Sequence, residues 1–189
     1  MSVTILLVPG LYGSGVGHWQ TRWEAALPEA RRVQQRDWDE PRRSEWVAQL
    51  DAAVRASAGP VVLAAHSLGC ATTVWWALAH AATPHARRVS GALLVAPPDV
   101  ERADAPAAVR DFGPMPGVPL PFASIVVASE NDPWCDLPRA LQWAQQWGAQ
   151  WQMAGRRGHL NADSGLGDWP QGQCWLQQLS KPEAFNISR

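Results

Sequence analysis

Ser67 stands in Ala65-His66-Ser67-Leu68-Gly69, between the most apolar run of the chain, Val61–Ala65, and an apolar stretch of helical length that continues to about His80. A serine in a sharp strand-to-helix turn can act as a nucleophile. Its hydroxyl stands clear of the sheet edge, and the N–H groups at the helix start favour developing negative charge. The pattern departs from G-x-S-x-G only at Ala65, the smallest side chain after glycine, and the tight turn needs small residues two before and two after the serine. The rival reading is that Ser67 merely caps the following helix. Two further segments bear on the choice. Glu130-Asn131-Asp132-Pro133 follows the apolar run Ser124–Ala128, and Gly158-His159-Leu160-Asn161 follows the short run Gln150–Met153. Serine, acid and histidine, each just past the end of a different expected strand, are the parts of a Ser67–Asp132–His159 triad for acyl transfer. Strand carboxyl ends are also where the sites of open α/β sheets collect. Asp99, after the preceding strand, and Asp136, read as an N-cap before Pro138, are the other candidates for the acid.

Acyl transfer also needs donors for an oxyanion. The loop Pro9-Gly10-Leu11-Tyr12 follows the first apolar run, so the backbone N–H of Leu11 is assigned as one donor and that of Leu68, directly after the serine, as the other. Tyr12 and Trp134 are placed at the pocket mouth, with plain packing as their alternative role, and His18 is placed along the pocket. His66 should point sideways from the elbow, and His80 and His85 are read as solvated residues at a helix end. A metal site at His159, Asp163 and Asp168 lacks a second histidine, so neither a metal nor a cofactor is expected. Nucleotide binding fails on its own motifs: His18 replaces the third glycine of G-x-G-x-x-G, and Val16 stands where a P-loop needs lysine.

Holding these residues requires alternating strands and helices. Strands are expected at Val3–Val8, Arg32–Asp37, Val61–Ala65, Gly91–Ala96, Ser124–Ala128 and Gln150–Met153. The first helix should carry Trp19, Trp23 and Leu27 on one face, and the second should start at a Ser44 cap and carry Trp46, Val47, Leu50 and Val54. A later helix opens at Pro138 with Leu141, Ala144 and Trp147 inward, and Gln171–Leu179 forms the last. Residues 97–121 are proline-rich, with one short helix around Pro106–Phe112. Crossovers of this length imply an α/β fold, a doubly wound, mostly parallel sheet of about six strands flanked by helices. One domain is expected over residues 1–181, with a frayed tail at 182–189.

Composition narrows the function classes. The chain has 189 residues, 47% hydrophobic and 17% charged, with net charge −1. That balance argues against disorder and gives no basic footprint for nucleic acid or an anionic membrane. The apolar run Val3–Val8 is too short for a membrane span. Three cysteines without a C-x-x-C pair suggest a reducing, cytoplasmic setting. Twelve tryptophans against one tyrosine and three phenylalanines make indole the main aromatic for core and pocket alike. A monomer or weak dimer acting on a small molecule is expected.

Several motifs together resemble the small α/β-hydrolase family that contains the retinoblastoma-binding serine hydrolase and related bacterial esterases. They are Val8-Pro9-Gly10 with His18-Trp19, AHSLGC at 65–70, SENDPWC at 129–135, and GHLNADSGLGDWPQG at 158–172, which is the most specific. They span nearly the whole chain. The resemblance implies a compact fold without a cap domain, the Ser67–Asp132–His159 triad, and hydrolysis of small esters or amides without a cofactor. No retinoblastoma-binding motif is identified. The alternative function is a non-catalytic binding module on a hydrolase scaffold, since fold alone does not carry activity.

Overall fold

The computed structural model describes residues 3–180, so the expected frayed tail at 182–189 lies outside the described residues. Six strands form one parallel sheet: β1 (Thr4–Val8), β2 (Ala30–Arg32), β3 (Val61–His66), β4 (Val89–Val95), β5 (Ala123–Ala128) and β6 (Gln150–Met153), in the order β2-β1-β3-β4-β5-β6. The connecting helices are α1 (Trp19–Ala26), α2 (Arg43–Ala56), α3 (Leu68–His80), α4 (Leu137–Trp147) and α5 (Pro170–Leu179).

The central strands are continuously apolar because both faces are covered. Along β3, Val61, Leu63 and Ala65 point into one layer with Trp46 and Leu50 of α2, Val74 and Trp76 of α3, and Trp143 and Trp147 of α4. Val62 and Ala64 point into the other, with Trp19 and Trp23 of α1 and Trp175, Leu176 and Leu179 of α5. The twofold alternation of a strand therefore feeds two separate cores. Chain order turns back between β1 and β3, since β1 leads outward to β2 and β3 leads the other way. The crevice outside the carboxyl ends of these two strands is the topological switch point, where α/β sheets bind ligands.

Four local expectations are corrected. β2 is Ala30–Arg32, pairing Ile5 with Ala30 and Leu7 with Arg32, rather than Arg32–Asp37. As a short edge strand it buries little and leaves a weak apolar signal. α2 starts at Arg43 with no side-chain cap; the Arg43 N–H donates instead to Asp111 Oδ2 at 2.8 Å, 68 residues away, so Ser44 is not the N-cap. In α4 the inward stripe is Ala140, Trp143, Ala144 and Trp147, whereas Leu141 is exposed. The stripe follows i, i+3, i+4, i+7 from Ala140. Pro138 is the second residue of that helix, and Asp136 is its N-cap, accepting from the Arg139 N–H at 2.9 Å. The described chain between β4 and β5 holds a six-residue 3₁₀ turn, Ala107–Phe112, and no separate domain.

Candidate active site

The turn at Ser67 is shaped by its surroundings. Ser67 has φ 52° and ψ −125°, a strained backbone for a residue with a side chain, and its hydroxyl makes no capping bond to α3. The N-cap reading of Ser67 is thereby set aside. A Cβ at Gly69 would lie 2.0 Å from the Val8 carbonyl oxygen, and one at Gly10 would lie 2.7 Å from Ser67 Cβ. Both glycines are needed for β1, its following loop and α3 to meet. Gly69→Ala is expected to destabilise the fold by about 3 kcal/mol, since the clash is with backbone that cannot rotate away. Thermal unfolding checks this, and an unchanged Tm would contradict it.

The structure brings Ser67, His159 and Asp132 together. Ser67 Oγ lies 2.7 Å from His159 Nε2, and His159 Nδ1 lies 2.9 Å from each oxygen of Asp132. The Asp132 carboxylate is buried and also accepts the Trp134 N–H at 2.9 Å. Asp99 is engaged elsewhere, 3.6 Å from Arg139 and accepting the Glu101 N–H.

The histidine turn is held by residues that sequence reasoning missed. Asn131 Oδ1 accepts the Gly158 N–H at 2.9 Å and the Ser129 hydroxyl at 3.1 Å, while Ser129 Oγ accepts the Arg157 N–H at 2.9 Å. The turn bearing the acid thus clamps the turn bearing the histidine. From the other side, the Trp19 indole donates to the Leu160 carbonyl at 3.0 Å and the Trp23 indole to the Asp168 carbonyl at 2.8 Å. The spacing of four shows that both indoles share a face of α1; it gives no sign that their N–H groups reach across 141 and 145 residues.

His66 does not merely point sideways. It is buried beneath His159, with Nε2–H donating to the His159 carbonyl at 2.8 Å. Burial, reinforced by His18 and His159, pushes its pKa well below the ordinary histidine value. His18 is the N-cap of α1: its Nδ1 accepts the Gln20 N–H at 3.1 Å, which leaves the proton on Nε2. Burial, then Arg32 and His159, push it down to about 3. Cys135, in the same turn as the acid, is pushed up to about 12 by burial and by Asp132 and Asp99, so its thiol stays protonated. His80 and His85 are not free in solvent; both face Asp51.

A cavity of about 310 Å³ opens over Ser67. Leu11, Tyr12, His18, Leu68, Trp134 and His159 line it, so the three expected pocket residues all border the site. Tyr12 is largely exposed at φ 64°, and the Trp134 ring stands edge-on to the His159 ring at 6.4 Å. Pro98, Val100, Ala105 and Val109, from the segment after β4, give that side of the cavity apolar surface, and Asp99 and Arg102 of the same segment line it as well.

Comparison with known proteins agrees with this architecture. The sequence profile described as "Serine hydrolase" matches residues 5–178. A YdeN-like hydrolase from Pectobacterium atrosepticum is 31% identical over 95% of this chain and 91% of that one, with a TM-score of 0.83. The ydeN gene product of Bacillus subtilis superposes with a TM-score of 0.73 at 20% identity, over 94% of this chain and 98% of that one. A thermophilic esterase from Thermogutta terrifontis shares the fold at 16% identity and a TM-score of 0.66, over 96% and 92% of the two chains. Among curated proteins no sequence matches significantly. A profile match across nearly the full chain, on a six-stranded parallel sheet of α/β-hydrolase form, places this protein in the serine hydrolase family.

Proposed function

We propose that the protein hydrolyses small carboxylic esters or amides through an acyl-enzyme on Ser67. The observation that carries this reading is the unbroken line from Ser67 Oγ through the His159 ring to the buried Asp132 carboxylate. His159 Nε2 takes the serine proton as Oγ attacks the carbonyl carbon, then returns it to the leaving alcohol or amine. Water repeats the sequence to release the acid. Asp132 accepts from Nδ1–H, which keeps Nε2 unprotonated and facing the serine. The N–H groups of Leu11 and Leu68 are the oxyanion donors. In support, the neighbouring Tyr12 N–H is committed to the Trp38 carbonyl and the Gly13 N–H to the Gly10 carbonyl. Leu68 is the first residue of α3 and needs no intrahelical acceptor for its N–H.

The two buried histidines beside the site should not shape the pH dependence near neutrality. His18 and His66 lose their protons well below neutrality, so neither changes charge there. Neither is expected to add a step to the pH dependence of kcat/KM between about pH 5 and 8. pH–rate profiles of wild type and His18→Gln check this, and a step in that range that vanishes in His18→Gln would contradict it.

Substrate size is bounded by the cavity. Its 310 Å³ lies at the low end of the ~300–1,000 Å³ of small-molecule sites, and Pro98, Val100, Ala105 and Val109 offer the acyl group an apolar surface. Each methylene that no longer fits forfeits up to ~0.8 kcal/mol of burial. The deciding experiment is kcat/KM for a series of p-nitrophenyl esters. Acetate or butyrate should exceed palmitate, with discrimination growing along the chain. A profile that climbs steadily to palmitate would overturn the small-substrate reading.

A further inference from the structure

At the opposite end of the sheet from Ser67, three side chains meet that the hydrolytic reading does not use. Asp51 comes from α2, His80 ends α3, and His85 lies in the turn just before β4. Asp51 Oδ1 is 2.7 Å from His85 Nε2 and 3.3 Å from His80 Nδ1, and the ligand atoms of the three residues all lie within 4.8 Å of one another. We propose that Asp51, His80 and His85 form a binding site for a zinc-like divalent transition-metal ion, separate from the catalytic centre.

Two imidazoles and one carboxylate suit Zn²⁺ and its neighbours, whereas Mg²⁺ and Ca²⁺ take oxygen donors. Metal–ligand bonds of ~2.0–2.2 Å place tetrahedral donors about 3.3 Å apart. The Asp51–His80 pair is already at that distance, and the Asp51–His85 pair must open by roughly half an ångström. A water completes the shell.

Asp51 Oδ2 is held by Arg55 Nε at 2.7 Å, and the Trp76 indole donates to Oδ1 at 3.1 Å. These partners fix the carboxylate as outer-shell groups fix metal ligands. They also leave Oδ1 crowded: it faces the indole and both imidazoles, yet has two lone pairs. A cation bound by one Oδ1 lone pair and by the two imidazole nitrogens in unprotonated form relieves that conflict. Thr83 Oγ1, 3.2 Å from His85 Nε2, is a further polar atom beside the site. The side chains are partly open, 24% at His80 and 14% at His85, so an ion can reach them from solvent. Its effect would be structural, tying α2 and α3 to the start of β4.

The test uses the full chain, stripped with chelator and titrated with ZnCl₂ by calorimetry at neutral pH, alongside thermal unfolding. One zinc should bind and raise Tm, because a ligand bound only by the folded state stabilises it. His80→Gln and His85→Gln should each weaken binding at least tenfold and abolish the Tm rise, while His159→Ala, which removes the triad imidazole, should leave both intact. MgCl₂ should have no effect. No zinc binding, binding unaltered by His80→Gln and His85→Gln, or binding lost in His159→Ala would each overturn the proposal, and the cluster would then be a hydrogen-bonded tie only. None of these outcomes depends on whether Ser67 is a nucleophile.

Discussion

Ser67→Ala is expected to lower kcat by about 10⁴–10⁶, and His159→Ala by a similar factor, because neither half of the nucleophile–base pair acts without the other. The 2.7 Å contact between Ser67 Oγ and His159 Nε2 is the physical reason. Alanine at 67 removes the oxygen proposed to attack. Alanine at 159 leaves a hydroxyl whose proton has no acceptor at the moment of attack. The double variant should therefore lose little more than either single one, a non-additivity that separates a working unit from two independent residues. Steady-state kinetics on p-nitrophenyl butyrate measures it. Ester hydrolysis within tenfold of wild type in purified Ser67→Ala would remove the assignment.

Asp132→Asn should cost about 10⁴ in kcat with the fold intact. The carboxylate accepts from both the His159 ring and the Trp134 N–H, and its two oxygens are equidistant from Nδ1. Asparagine can still accept from the Trp134 backbone, so the turn survives. Its amide nitrogen, turned toward Nδ1, favours the tautomer with the proton on Nε2, and that imidazole can no longer accept from serine. Asp99→Asn is the control. That residue faces Arg139 and the cavity wall rather than the imidazole, so its effect should be far smaller. Activity equal to wild type in Asp132→Asn, with Asp99→Asn inactive, would reverse the choice of acid.

Much of the candidate site is legible in the sequence because its residues lie at strand ends. Ser67, Asp132 and His159 each come just after a run whose apolar character marks a buried strand, and parallel strands deliver the turns at their carboxyl ends to one edge of the sheet. The tight turn at Ser67 is legible for a steric reason, since Gly69 has no room for a side chain against the Val8 carbonyl. Features set by contacts between distant segments escape such reading. The Asp111 carboxylate that caps α2, the indoles of Trp19 and Trp23 that reach the histidine loop, and the Ser129–Asn131 clamp carry no periodic signal of their own. Asp51 and His80 lie on different helices, so nothing local announces that they meet. β2 is misplaced by pattern alone because a three-residue edge strand with two arginines has almost no apolar alternation to read.

The central claim is that Ser67 is the activated nucleophile, and a fluorophosphonate probe tests it most directly. The reagent phosphonylates a serine only where a base and an oxyanion site activate it, so the label reports the assembled machinery rather than the fold. Intact-mass and peptide analysis of the labelled protein should show one adduct, on the peptide carrying Ser67, absent in Ser67→Ala and strongly slowed in His159→Ala. A folded wild-type protein that takes no label, or a Ser67→Ala protein labelled as fast as wild type, would contradict the account.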